Sequence, residues 1–200
     1  MGGIGAVILA GGRSSRMGQN KALLEIGERT IIQAQILELG KTFAPLVVVS
    51  NQPELYSGMG AQAVQDHYPG YGPLAGIHAG LMAVPGDGAF VIPCDMPFIT
   101  AELGLELQAR MESADAVVLS YRGKLEPLCA VYHKRCVPVI EEFLRAKHLK
   151  IIDFYPLLNV RILPVEELSL LRPAAEQLFN INTPAELEMA RRIVGPAGQA

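Results

Sequence analysis

Two hundred residues suit one domain, or one domain with an appendage, and a hydrophobic share of 50% is enough for a sizeable core. A formal net charge of -3 argues against a general nucleic-acid binder, which would show a basic surplus, but leaves room for a local basic pocket. With no tryptophan and 6% aromatic residues, stacking platforms for single-stranded bases are not expected either.

Residues 4–9 form a short apolar run that stops at glycines, the pattern of a buried strand. The run lacks a basic lead-in and is read as a strand, not as a signal peptide. No apolar stretch is long enough to span a bilayer. The stretch that follows carries Gly11, Gly12 and Gly18 together with Arg13, Arg16 and Lys21. Glycine lets a backbone approach a ligand closely. N–H groups exposed in such a loop can point at phosphate oxygens, and the cations beside them add attraction. The loop is neither of the two commonest phosphate motifs. Gly18 is followed by Gln19, Asn20, Lys21 and Ala22 where a P-loop needs Gly-Lys-Ser/Thr, and Gly11 and Gly12 are adjacent where a dinucleotide fingerprint needs a spacer.

Residues 22–27 are expected to be extended, with a turn at Glu28 and Arg29. Thr30 is a candidate cap for a helix to about Leu39, whose apolar face is Ile31, Ile32, Ile36 and Leu37, and Gly40 ends it. Residues 46–49 are a buried strand that stops at Ser50 and Asn51. Pro53 begins a short helical turn, residues 61–65 suggest another strand, and residues 66–73 are loop by composition. Residues 74–83 form a helix whose small residues, Ala75, Gly76, Ala79 and Gly80, suit close packing on a sheet or against a ligand. A buried strand over 89–93 then runs into Cys94 and Asp95.

Thr100 caps a helix to about Met111, and residues 116–119 and 127–132 are strands, the second expected to pair antiparallel. Helices follow over 135–146, limited by Pro138, and over 148–158. Residues 160–163 are a late strand, residues 184–194 a closing helix capped by Thr183, and residues 195–200 a frayed tail. Alternating strands and helices predict an α/β fold: one domain over 1–194 with an open, mostly parallel twisted sheet flanked by helices. Ligands of such sheets bind outside the carboxyl ends of strands. The glycine loop, Ser50 with Asn51, Asp66 and Asp95 all fall at that edge.

Asp95 is the sharpest single candidate for chemistry. A carboxylate just past a buried strand suits magnesium, which takes a few carboxylate oxygens plus phosphate and water. The competing role, capping the next helix, is better filled by Thr100. Asp66 in a Gly/Pro-rich loop reads as a turn-former, or as a group recognising a base or a hydroxyl. Lys21 would offset charge developing on phosphate oxygens. His67, His78, His133 and His148 share no ligand spacing, although His78 lies among the small residues of its helix. Cys94, Cys129 and Cys136 form no C-x-x-C pair, so a zinc site or disulfide framework is not expected, and a reducing cytosolic setting fits. No Gly-x-Ser-x-Gly element is present. What remains is phosphoryl or nucleotidyl transfer, in which positioning and electrostatics carry most of the catalysis.

The run from Leu9, Ala10, Gly11 and Gly12 through Arg16, Met17 and Gly18 to Lys21 resembles the signature of nucleotidyltransferases with a glycosyltransferase-A-like fold. Gly72-Pro73-Leu74-Ala75-Gly76, Pro93-Cys94-Asp95-Met96-Pro97 and Asn180-Ile181-Asn182-Thr183-Pro184 narrow the likeness to the molybdenum cofactor guanylyltransferase family, over nearly the whole chain. The resemblance implies transfer of GMP from GTP to the terminal phosphate of molybdenum-bound molybdopterin, with release of pyrophosphate and with Mg2+ as cofactor. It implies that Leu9, Ala10, Gly11 and Gly12 contact the nucleotide by their backbone and that Lys21 and Arg16 meet phosphate. It also implies that Asp66 belongs to the nucleotide pocket, that Asp95 holds the metal, and that Asn180 and Asn182 lie near the reacting phosphate or the pterin. In the best-known members an Asn directly follows the second strand, whereas here Ser50 precedes Asn51. Residues 124–128 fit a region facing the pterin. Proteins that insert molybdenum or receive the finished cofactor are expected partners, in the cytoplasm, with no nucleic acid or membrane involved. The rivals are a cytidylyltransferase acting on the same pterin, a sugar-1-phosphate nucleotidyltransferase, and a non-catalytic cofactor-delivery chaperone.

Overall fold

A computed structural model of the chain describes residues 3–11 and 20–195, so Gly12, Arg16 and most of the glycine loop lie outside the described residues. The same holds for the tail from residue 196 onward. The chain runs β1 (Gly5–Leu9), β2 (Glu25–Ile26), β3 (Arg29–Thr30), α1 (Ile31–Leu39), β4 (Leu46–Val49), β5 (Gln62–Val64) and α2 (Pro73–Ala83). It continues through β6 (Gly88–Pro93), α3 (Ala101–Gln108), β7 (Ala116–Tyr121), β8 (Lys124–His133) and α4 (Cys136–Arg145). It ends with β9 (Val160–Pro164), α5 (Ala174–Gln177) and α6 (Pro184–Val194).

Seven strands make one sheet in the order β5-β4-β1-β6-β8-β7-β9, and β8 runs antiparallel to both its neighbours while the other pairs are parallel. β1, β4 and β6 are apolar without alternation because helices cover both faces of the sheet. Successive side chains point to opposite faces. Ala6, Ile8, Val48, Phe90 and Ile92 therefore meet α1 and α3 on one side. Val7, Leu9, Val47, Val49 and Val91 meet α2 and α4 on the other. A third cluster packs α6 on Leu24, Ile26, Ile31 and Phe98. Among the described residues no helix is long and apolar enough to cross a membrane.

The small residues of α2 serve packing. A Cβ on Gly80 would lie 2.4 Å from Val7 Cγ1, and one on Gly76 would lie 3.0 Å from Leu9 Cδ2, so α2 rests directly on β1. The caps at Thr30, Thr100 and Thr183 fall where the sequence puts them, and the first and last are full capping boxes.

Three local expectations are corrected. Residues 21–23 form a 3-10 turn, not extended chain, because the Asn20 side chain accepts from the Ala22 N–H and Ala22 is buried. The turn expected at Glu28 and Arg29 sits one residue earlier, since Gly27 supplies the positive φ (70°) that closes the β2–β3 hairpin. The helix expected over 148–158 is a 3-10 segment, Ile151–Leu157, containing Pro156, which has no N–H to give an α-helical bond.

Candidate active site

The register aligns Leu9 with both Val49 and Pro93, so β1, β4 and β6 end at one level. A cleft of about 220 Å³ opens beyond the ends of β1 and β6. Its lining includes Leu9, Ala10, Gly11, Lys21, Asp95 and Leu128. Leu128 arrives through an irregularity in β8: Val118 pairs with Ala130 but Leu119 pairs with Glu126, leaving 127–129 outside the ladder. Pro73, the first residue of α2, also reaches the cleft, after Gly72 at φ 74°.

Lys21 and Asp95 face each other, Nζ to Oδ2, at 3.6 Å, with side-chain exposures of 17% and 26%. That is an ion pair by contact and too long for a strong hydrogen bond. Lys21 Nζ instead donates to Asn182 Oδ1 at 2.7 Å. Burial raises the Asp95 carboxyl above its ordinary value, and the Lys21 cation offsets this only in part. Burial, with the Asp95 charge beside it, pushes the Cys94 thiol up to about 12, which favours the thiol over the thiolate at neutral pH.

The turn that presents Asp95 is held from three sides. Cys94 N donates to Leu9 O at 3.1 Å, and Ile181 N donates to Asp95 O at 2.8 Å. Fully buried Gln35, on α1, donates from Nε2 to both Pro93 O and Met96 O at 3.0 Å. On the Lys21 side, Asn20 Nδ2 donates to the hydroxyl of fully buried Tyr56 at 2.9 Å. The Tyr56 hydroxyl in turn reaches Ala10 O at 3.5 Å. The Asn182 and Thr183 N–H groups both donate to Glu186 Oε2, which anchors the late motif to α6.

Of the residues singled out in the sequence, Leu9, Ala10, Gly11, Lys21 and Asp95 come together in the cleft. Asn182 touches Lys21, whereas Asn180 Nδ2 donates to Leu178 O within its own loop. Asp66 stands past the end of β5, on the same sheet edge but two strands from β1, and its Oδ1 accepts from Tyr68 N at 2.7 Å. Ser50 is buried with its Oγ accepting from Gln52 N, and Asn51 is exposed; neither lines the cleft. His78 is buried under the loop over 66–73, edge-to-face with Tyr68, with its ring 6.1 Å from that of His67. Spacing along the chain did not foresee that approach.

Sequence reasoning missed Gln35, Tyr56 and Asn20 as supports of the site. A signal existed for the first: Gln35 interrupts the apolar stripe of Ile31, Ile32, Ile36 and Leu39 with a polar group at a core position.

A family model, the MobA-like NTP transferase domain, matches residues 6–156. A "Probable molybdenum cofactor guanylyltransferase" of Carboxydothermus hydrogenoformans is 41% identical over 186 residues, covering 93% of this chain and 94% of that one. The "Molybdenum cofactor guanylyltransferase" of Desulfosudis oleivorans is 36% identical over 196 residues, 97% of each chain. Among solved structures, the molybdopterin-guanine dinucleotide biosynthesis protein A of Archaeoglobus fulgidus superposes with a TM-score of 0.83 at 28% identity, covering 95% of this chain and 98% of that one.

Proposed function

The chain belongs to the MobA-like NTP transferase family, and from this premise we infer that it transfers GMP from GTP to the terminal phosphate of molybdenum-bound molybdopterin. The products are the guanine dinucleotide form of the cofactor and pyrophosphate. The observation that carries the reading is the cleft itself, where the Lys21 cation and the Asp95 carboxylate face each other at 3.6 Å beside the end of β1.

In this reading the Leu9–Gly12 backbone and Arg16 take the triphosphate. Lys21 Nζ has three N–H donors, and Asn182 engages one of them, which aims the ammonium while leaving others for phosphate oxygens. A pterin phosphate oxygen attacks the α-phosphorus of GTP. The bond from that phosphorus to the bridging oxygen breaks, and pyrophosphate departs with the electron pair. The nucleophile is already an anion at neutral pH, so no strong base is required.

The residues present also fit Mg2+. Asp95 is a partly open carboxylate lining the cleft just past the end of β6. That suits magnesium, which keeps waters and binds through one or two carboxylates plus substrate phosphates. Held by Asp95, such an ion would supply charge neutralisation at phosphate oxygens and so ease the departure of pyrophosphate. Asp66, past β5, is assigned to the nucleotide pocket, where a carboxylate matches the N–H donors of guanine or a ribose hydroxyl. Leu128 and the strand before it are assigned to the pterin side. We assign the reaction to the cytoplasm, with proteins that insert molybdenum or receive the product as its expected partners.

The test is incubation of the protein with GTP, Mg2+ and molybdenum-loaded molybdopterin. Guanine dinucleotide and pyrophosphate are expected in equal amounts. A thermal shift larger with CTP than with GTP would overturn the choice of nucleotide, and pyrophosphate release with a sugar 1-phosphate alone would overturn the choice of acceptor.

A further inference from the structure

We propose that Gln35 is a positioning residue for the guanylyl transfer: its side-chain amide fixes the turn Pro93–Met96 from beneath, so that the Asp95 carboxylate is presented to Lys21 across the cleft. The proposal rests on the assignment of that cleft as the active site.

Gln35 is 0% exposed and sits on the core face of α1. Its Nε2 makes two bonds of 3.0 Å, to the carbonyls of Pro93 and Met96, which flank Cys94 and Asp95. One donor group therefore spans the turn on both sides of the functional carboxylate. Meanwhile Gln35 Oε1 has no partner among the described residues. A buried acceptor left in that state costs free energy, and an aliphatic side chain would avoid the cost. Core packing alone therefore does not account for a glutamine here, whereas the two donated bonds do. The amide is also uncharged. It can hold the turn without pairing with Asp95 or competing with Lys21, which a buried arginine or lysine could not do.

The other two hydrogen-bond restraints act on the Cys94 N–H and the Asp95 carbonyl. Cys94 N to Leu9 O extends the β1–β6 ladder, and Ile181 N to Asp95 O ties the turn to the late motif. Neither touches the Met96 carbonyl. Without Gln35 that carbonyl and the Pro93 carbonyl would lose the bonds it gives them, and the turn would relax. A displacement of about 1 Å at a reacting group costs as much as about 100-fold in rate.

Cys94 supplies a reporter, since it lies next to Asp95 in the same turn and is partly shielded, while Cys129 is fully buried in the core cluster that Cys94 packs against and Cys136 is fully buried on the other face of the sheet. The experiment is thiol labelling of the substrate-free, native protein, read by mass spectrometry at each cysteine, together with steady-state kinetics. For Gln35→Met, which keeps length and volume, Cys94 is expected to label about tenfold faster through local opening while Cys129 and Cys136 keep their wild-type rates. The kcat should fall about 10- to 100-fold, with the KM for GTP changed far less. Faster labelling of all three cysteines together would show a loss of global stability and overturn the proposal, as would unchanged Cys94 labelling or unchanged kcat. If Gln35→Met does not fold, Gln35→Glu replaces it, because the neutral acid retains one O–H donor. A smaller acceleration confined to Cys94 is then expected, and acceleration at all three sites overturns the proposal. Labelling needs no substrate, so a failed guanylyl-transfer assay in the wild type would strike the functional reading and leave this result distinct.

Discussion

At the scale of single residues, the cleft places its charges at a cost to the fold. Burial raises the Asp95 carboxyl, so the folded chain holds that proton more tightly than the unfolded chain does. The contribution to stability is complete below the unfolded value of 3.8 and is lost as pH rises through the folded value, leaving the substrate-free protein strained at neutral pH. Asp95→Asn removes that penalty. It is expected to raise the melting temperature at pH 7, with the gain shrinking as pH falls toward 4, while transfer activity drops by about 100-fold or more. Melting curves across pH check the first half and initial rates the second. A variant less stable than wild type at pH 7 would refute the sign. Gly11 behaves differently: a Cβ there would meet nothing within 4 Å among the described residues. Gly11→Ala should therefore melt within a few degrees of wild type yet weaken GTP about tenfold, because the new methyl group occupies the path of the phosphates. Titration calorimetry with GTP reads that loss directly.

At the scale of elements, the contact of α2 with β1 sets the height of the cleft floor. Gly80→Ala would drive a methyl group to 2.4 Å from Cγ1 and 2.9 Å from Cγ2 of Val7, a stiff β-branched side chain with no exposed surface. The expected cost is about 1–3 kcal/mol, or several degrees in Tm for a chain of this size. Gly76→Ala should cost less, because it meets the far end of the more flexible Leu9 at 3.0 Å. Circular-dichroism melts of the two variants give the ranking. These elements were largely legible in the sequence for one physical reason: strands buried on both faces must be apolar throughout, so 46–49 and 89–93 announce themselves. What stayed illegible depends on distant partners. The 3-10 segment Ile151–Leu157 takes its shape from packing and from Pro156, and periodicity is blind to both. Lys21 and Asp95 stood out as charges beside a glycine loop and at a strand end. Gln35 shows only as a polar break in an apolar stripe and Tyr56 not at all, because the groups they bond lie 58 and 46 positions away along the chain. Local pattern carries no record of such pairings.

At the scale of the whole molecule, the site is closed by its own far end. The family model ends at residue 156, yet Ile181 and Asn182 bond to Asp95 and Lys21. The late motif keeps that position through Glu186, whose Oε2 accepts from the N–H groups of Asn182 and Thr183 and from the Thr183 hydroxyl. The backbone bond from Asn182, with the others beside it, lowers the Glu186 carboxyl below 4.5. A depressed acid stabilises the fold above its unfolded value and loses that contribution as pH falls through the folded value. Glu186→Ala removes the N3 half of the capping box and should cost about 0.3–1.5 kcal/mol at pH 7. The gap from wild type should close as pH falls from 4.5 through the depressed folded value. Because the same carboxylate sets the Asn182 backbone, kcat should also fall several-fold at pH 7, where melting temperature alone would not predict it. If α6 only buttressed the core, rate per folded molecule would match wild type in that variant. Measuring active-site concentration alongside rate therefore separates a distant cap that merely stabilises from one that aims the lysine.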